Sequence, residues 1–238
     1  MSASPAQFAR VARDLFERGH NVVVPRLPRH GHADRLSNAL ERLRAEELYE
    51  AVGEYVEVAR ELGDRVTVAG FSLGGLLAAW IAQNYEIDRC VPIAPFLGIS
   101  CIPNKLMGSV AERLLQAPNR FHWWNPILRD KHVYSTGYPR YATHAIAHSY
   151  RIARSLLDQA PVRKPEAQHV TFVTNAREVA VNNYAIKRIY KHWRRHRPES
   201  VELSVITGLP LSHDIVSPSR PWRLADRVHP HLLNAIDP

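Results

Sequence analysis

One pentapeptide constrains this chain more than any other feature. It is Gly70-Phe71-Ser72-Leu73-Gly74, set between a β-branched run, Val66–Phe71, and an Ala- and Leu-rich helical run, Gly74–Tyr85. A strand that turns into a helix within one residue forces the residue at the bend into a strained backbone conformation, so small neighbours must flank it. Gly70 and Gly74 stand where those small residues are needed. A serine at such a bend lifts its hydroxyl to a helix N-terminus, where the dipole favours developing negative charge. Ser72 is therefore the candidate nucleophile. The N–H of Leu73 points the same way and is a candidate oxyanion donor.

A serine hydroxyl is a weak nucleophile without a base beside it. Of 13 histidines, His213 stands out because it lies in a loop, 208–214, directly after the last β-like run. The acid that orients such a base belongs after the preceding run, His169–Thr174. Glu178 is the one carboxylate in that loop, and its task would be to fix the imidazole tautomer and stabilise the imidazolium. Asp214 is next to His213, but adjacent side chains of an extended loop point apart. The spacing thus predicts a Ser72–Glu178–His213 set.

The surrounding pattern supports an α/β sheet. Asn21–Leu27, Val66–Phe71, Cys90–Phe96, His169–Thr174 and Val201–Thr207 are nearly continuous apolar runs, as in strands of a parallel sheet buried on both faces. Helical patterns alternate with them at Pro5–Arg18, Ala45–Leu62, Gly74–Tyr85, Val179–Arg195 and Trp222–Ile236. Alternation of this kind predicts an open, mostly parallel sheet with helices on both faces. One interval, Gly98–Gln168, is far longer than an ordinary connection. It is expected to be an inserted helical cap, with helices near Lys105–Gln116 and Arg140–Leu157 and an aromatic cluster of Phe121, Trp123 and Trp124. The expected organisation is a core in two parts, residues 1–97 and 169–238, with the cap at 98–168.

Composition closes off other classes. A chain of 238 residues that is 45% hydrophobic can bury one sizeable core. No run approaches the about 18 apolar residues of a membrane span. The start carries no leader-like pattern, which points to a cytoplasmic protein. Cys90 and Cys101 make neither a disulfide framework nor a zinc motif. The net charge of +8 is spread along the chain. Its one dense run, His192–Arg197, reads as a helix C-terminus, so nucleic acid is not an expected partner. His144 and His148 are a helical turn apart but lack the glutamate of a metalloprotease motif, and they read as packing residues. No cofactor or metal is expected.

These motifs resemble the α/β-hydrolase superfamily, and most closely its carboxylesterase and monoacylglycerol-lipase-like branch. Val24-Pro25-Arg26-Leu27-Pro28-Arg29-His30-Gly31 is similar to the family's strand and Leu-Pro-Gly-His-Gly loop, with Arg29 in place of a glycine. Pro92–Pro95 resembles the strand after the nucleophile helix, and Gly137–Arg140 a cap segment. Glu178 stands where aspartate is commoner. Relatives open with strands ending in His-Gly, then a loop and a helix like Ser4–Phe8. The resemblance therefore implies an N-terminally shortened version of a longer enzyme, with the first strands missing and the second oxyanion donor falling at Met1. Losing such a donor costs about 10²–10³ in rate.

The resemblance implies acyl transfer on a small-molecule ester without a cofactor. Phe121, Trp123, Trp124 and Met107 suggest an apolar acyl group. Two other readings stay open: thioester, amide or carbon–carbon cleavage on the same fold, and a catalytically impaired binding protein. Nothing in the sequence addresses the oligomeric state.

Overall fold

The computed structural model describes residues 3–129, 137–217 and 224–238. Four strands form one parallel sheet: β1 (Thr67–Phe71), β2 (Arg89–Ile93), β5 (His169–Asn175) and β6 (Val201–Ile206), in the order β1-β2-β5-β6. A short antiparallel pair, β3 (Phe121–Trp123) and β4 (Arg140–Ala142), lies apart from it. The helices are α1 (Ala9–Glu17), α2 (Ala45–Leu62), α3 (Leu73–Asn84), α4 (Asn104–Gln116), α5 (Thr143–Gln159), α6 (Asn183–His196) and α7 (Leu224–Ile236). Among the described residues, no helix is long and apolar enough to cross a membrane.

Strand side chains alternate between two cores, as a period of two requires. Cys90, Val170 and Phe172 join Leu76, Ile152, Ile186 and Trp193 in a core under α2, α3, α5 and α6. Val91, Ile93, Val173 and Ile206 join Val11, Val228 and Leu232 under α1 and α7. With both faces covered, the strands had to be continuous apolar runs. Three pairs, Arg10–Asp226, Arg18–Asp237 and the buried His229 with Asp14, hold α1 to α7.

Helix limits follow local chemistry. The N-terminus of α2 carries Glu46 and Glu47, and Glu47 accepts the Arg44 N–H at 3.1 Å. Asn182 caps α6 by accepting from Tyr184 and Ala185 N–H, and Arg194, Arg195 and His196 fill its last turn. The expected helix start at Val179 is four residues early. The N–H groups of Val179, Ala180 and Val181 bind the Glu178 carboxylate instead, which holds them out of a helix.

Two other expectations need correction. Asn21–Leu27 forms no strand: a strand needs a neighbouring ladder, and among the described residues none pairs with this segment, most of which lines a cavity together with β1. The run Cys90–Phe96 stops being a strand at Ile93, because Ala94 takes φ +39° and turns the chain.

The interval 98–168 divides into two parts. The described residues from Ile99 to Ala142 hold α4 and the β3–β4 pair. α5 instead sinks Ile152, Ala153 and Leu156 into the main core against α3. Met107 is also in that core.

Trp193 is the largest fully buried side chain among the described residues. Its Nε1–H donates to Gln83 Oε1 at 3.0 Å, and Gln83 Nε2 donates to the Lys164 carbonyl at 2.7 Å. Trp193→Ala should therefore destabilise the fold by about 3–5 kcal/mol, read from the shift of the urea midpoint at constant m-value.

Candidate active site

Ser72 sits between β1 and α3 with φ +57° and ψ −111°, a conformation that costs an ordinary residue about 1–3 kcal/mol. The neighbours hold it there. Its N–H donates to Ile93 O at 2.9 Å, and its carbonyl accepts from Leu76 and Phe96 N–H at 2.9 and 3.0 Å. A Cβ on Gly70 would meet Gly74 O at 2.1 Å, so this position must be glycine. Gly74 faces open space, contrary to the role expected for it. Gly75 is the second sterically required glycine, since a Cβ there would meet Ile93 O at 2.7 Å.

The three residues singled out from the sequence come together across 141 positions of chain. Ser72 Oγ lies 2.8 Å from His213 Nε2. His213 Nδ1 lies 3.0 Å from each Glu178 carboxylate oxygen. A carboxylate only accepts, so Nδ1 carries the proton and donates, and Nε2 is left to accept from the serine hydroxyl. Phe71 packs on the imidazole with ring centroids 4.7 Å apart.

The Glu178 side chain is fully buried. Burial alone would push its carboxyl up. The hydrogen bond and charge of His213, with the N–H groups of Ala180 and Val181, outweigh that and hold it below its ordinary value.

Asn175, at the end of β5, was not singled out from the sequence. It is fully buried, and its Nδ2 donates to Pro210 O at 3.1 Å and Ser212 O at 2.9 Å. It thereby ties the His213 loop to the strand that precedes Glu178. A buried asparagine ending an apolar run was the available signal. Asp214 faces away from the imidazole as expected. Its Oδ1 accepts from Gln7 Nε2 and from Val216 and Ser217 N–H, shaping the loop.

Leu73 is the first residue of α3, so its N–H is among those with no acceptor inside the helix. The other expected oxyanion residue, Met1, lies outside the described residues. A cavity of about 1250 Å³ opens beside Ser72 and His213, with His30, Trp124, Val179 and Leu211 around this end. Of the expected aromatic cluster only Trp124 lines it. Phe121 and Trp123 do not, and neither does Met107, which the core has taken up.

Solved structures of hydrolases share this fold. A metagenome-derived lipolytic enzyme of the LipS and LipT pair superposes with a TM-score of 0.69 at 17% identity, covering 98% of this chain and 90% of that one. A soluble variant of monoglyceride lipase from Saccharomyces cerevisiae gives 0.64 at 14% identity, covering 84% and 72%. The thioesterase domain from the curacin biosynthetic pathway gives 0.55 at 15% identity, covering 97% and 87%. A search of the curated proteins finds no significant match. The alpha/beta hydrolase family model matches residues 2–235, and with a parallel sheet, a strained serine elbow and an imidazole delivered from the loop after β6, the chain belongs to that family.

Proposed function

We propose that this chain hydrolyses carboxylic esters of small molecules through a Ser72–His213–Glu178 triad and an acyl-enzyme. The observation that carries the reading is the unbroken chain of contacts from Ser72 Oγ to His213 Nε2 at 2.8 Å and from Nδ1 to Glu178 at 3.0 Å. The lipolytic enzymes of the same fold support the ester as substrate class, and Trp124, Val179 and Leu211, which line the same cavity as the serine, suit an apolar acyl group.

In the first half-reaction Ser72 Oγ attacks the ester carbonyl carbon while its proton passes to His213 Nε2. Glu178 stabilises the imidazolium through Nδ1–H, and the Leu73 N–H donates to the tetrahedral oxyanion. The carbon–oxygen bond to the alcohol breaks, and the leaving oxygen takes the proton from Nε2. In the second half-reaction water gives a proton to Nε2 and its oxygen attacks the acyl carbon. The acid is released, and the proton returns to Ser72 Oγ.

The same groups would attack a thioester, whose thiolate leaves more readily, and the curacin thioesterase domain shares the fold. Hydrolysis rates on matched p-nitrophenyl esters and acyl thioesters of graded length separate the two substrates. A fluorophosphonate probe tests the nucleophile itself. It should label the wild type and not Ser72→Ala, and a folded wild type that takes no label would mark a binding protein instead. On the best ester, Ser72→Ala should lower kcat by about 10⁴–10⁶ and Glu178→Gln by about 10⁴.

The ionisation of Glu178 also leaves a mark on stability. Its carboxyl titrates below the ordinary 4.5 when folded. The stabilisation from its ionised form is therefore complete above that pH and is lost as pH falls through the lower folded value. The difference in unfolding free energy between wild type and Glu178→Gln, from urea titrations, should shift against the wild type between about pH 7 and about pH 3.

A further inference from the structure

Helix α6 carries more positive charge than the fold can use. Between Asn183 and Arg197 stand Lys187, Arg188, Lys191, Arg194, Arg195 and Arg197, and no carboxylate. Tyr184, Lys187, Arg188, Lys191, Arg194 and Arg195 recur every three or four residues, and all six are exposed. They form one stripe about 16 Å long, opposite the face that buries Ala185, Ile186, Ile189 and Trp193. The helix dipole accounts for cations in the last turn only, since its effect fades within one turn. Lys187 and Arg188 lie in the first half of the helix, outside that turn. Cations three and four residues apart, such as Lys187, Lys191 and Arg195, repel one another.

Among the described residues, none of these cations forms an ion pair. Asp158 of α5, which acts on Tyr150 together with Arg188, pairs with Arg154, and Glu166 pairs with Arg163. The next carboxylates along the chain, Glu199 and Glu202, come after the helix has ended. Arg194 turns onto the Tyr190 ring, 5.7 Å from its centroid. Burial, then Arg195, Arg188 and His196, hold the His192 imidazole below its ordinary value, as a positive field does. Beside the last turn, His196 Nε2–H donates to the Pro161 carbonyl at 3.3 Å and ties the loop 160–164 to the helix. That loop lifts Val162 to 78% exposure, between Pro161 and the basic pair Arg163 and Lys164.

We infer that the exposed face of α6, together with the Val162 tip, docks on the surface of a membrane rich in anionic lipids. Each Lys or Arg brought to such a surface strengthens binding about fivefold. The face carries a shallow depression, at Tyr190, Lys191, Arg194, Arg195 and Pro198, so it can rest on an array of headgroups. The Val162 tip favours a membrane over other polyanions. An apolar side chain gains by entering the acyl boundary beneath the headgroups, and gains nothing against a nucleic-acid backbone or a row of carboxylates. Charge and apolar insertion together are the two signals that stable peripheral attachment requires. Tyr184, 81% exposed at the head of the stripe, is of the residue type that settles at headgroup depth. None of the stripe residues lines the cavity beside Ser72, so docking leaves that cavity uncovered by α6. This inference is independent of the hydrolytic reading, since it rests on charge and exposure rather than on the triad.

The test sediments the full chain with vesicles of phosphatidylcholine containing about one third phosphatidylserine, and with vesicles of phosphatidylcholine alone. The wild type should bind the first at least about tenfold more tightly and lose that preference in about 0.5 M salt. Arg194→Glu with Arg195→Glu should weaken binding to the anionic vesicles by at least about 25-fold. Arg13→Glu with Arg42→Glu, exposed elsewhere and equal in charge, should weaken it by less than about threefold. Val162→Ser should weaken it by about fivefold without changing the salt dependence. All variants should keep the wild-type circular-dichroism spectrum, so that lost binding is not lost fold. No preference for the anionic vesicles, equal losses from the two double variants, or a Val162→Ser chain that binds like the wild type would overturn the inference. So would tighter binding to a short DNA duplex or to polyglutamate than to the vesicles, because the partner would then be a nucleic acid or an acidic protein.

Discussion

The bend at Ser72 is the constraint from which the rest of the site follows. A residue with a side chain is held at φ +57°, and its backbone is fastened on both sides, to Ile93 of β2 and to Phe96 beyond it. Gly70 and Gly75 let a strand, a helix and the neighbouring strand end approach closely enough for those bonds to form. The strain is sustained because the buried sheet over-determines it. In return the hydroxyl has a fixed direction, and α3 begins with a free N–H beside it.

The other two groups arrive on loops, yet they are held nearly as firmly. Glu178 is buried without loss of its charge because three backbone N–H groups and the imidazole surround it. Asn175 bridges the two loops, so Glu178 and His213 are placed by one anchor at the end of β5. The parallel ladder from β1 through β6 thus places Ser72, Glu178 and His213 at its carboxyl ends, which is where α/β sheets gather their ligands.

Order is unevenly distributed across the sheet. From β1 to β6 every strand is paired and covered. Beyond β1 the helices α1, α2 and α7 still form walls, but the ladder stops, and Val22 and Val24 are only half-buried.

Much of this was legible in the sequence. The elbow, the histidine after the last strand and the carboxylate after the one before it are recognisable because local turn chemistry and chain order restrict them. Helix α2 follows from apolar periodicity and the glycine that closes it, and α3 from its Ala- and Leu-rich run after the elbow, all short-range effects. What only the tertiary structure decided depends on neighbours far along the chain. Asn21–Leu27 has every local mark of a strand, but a strand requires a partner, and none pairs with it among the described residues. Gly75 rather than Gly74 is the steric necessity, because the clash comes from Ile93. Met107 belongs to the core and Trp124 to the site, since α5 folds back against α3. The start of α6 waits for Asn182 because the N–H groups before it are taken by a buried carboxylate. Propensity acts within a few residues; pairing, burial and close approach are properties of the assembled sheet.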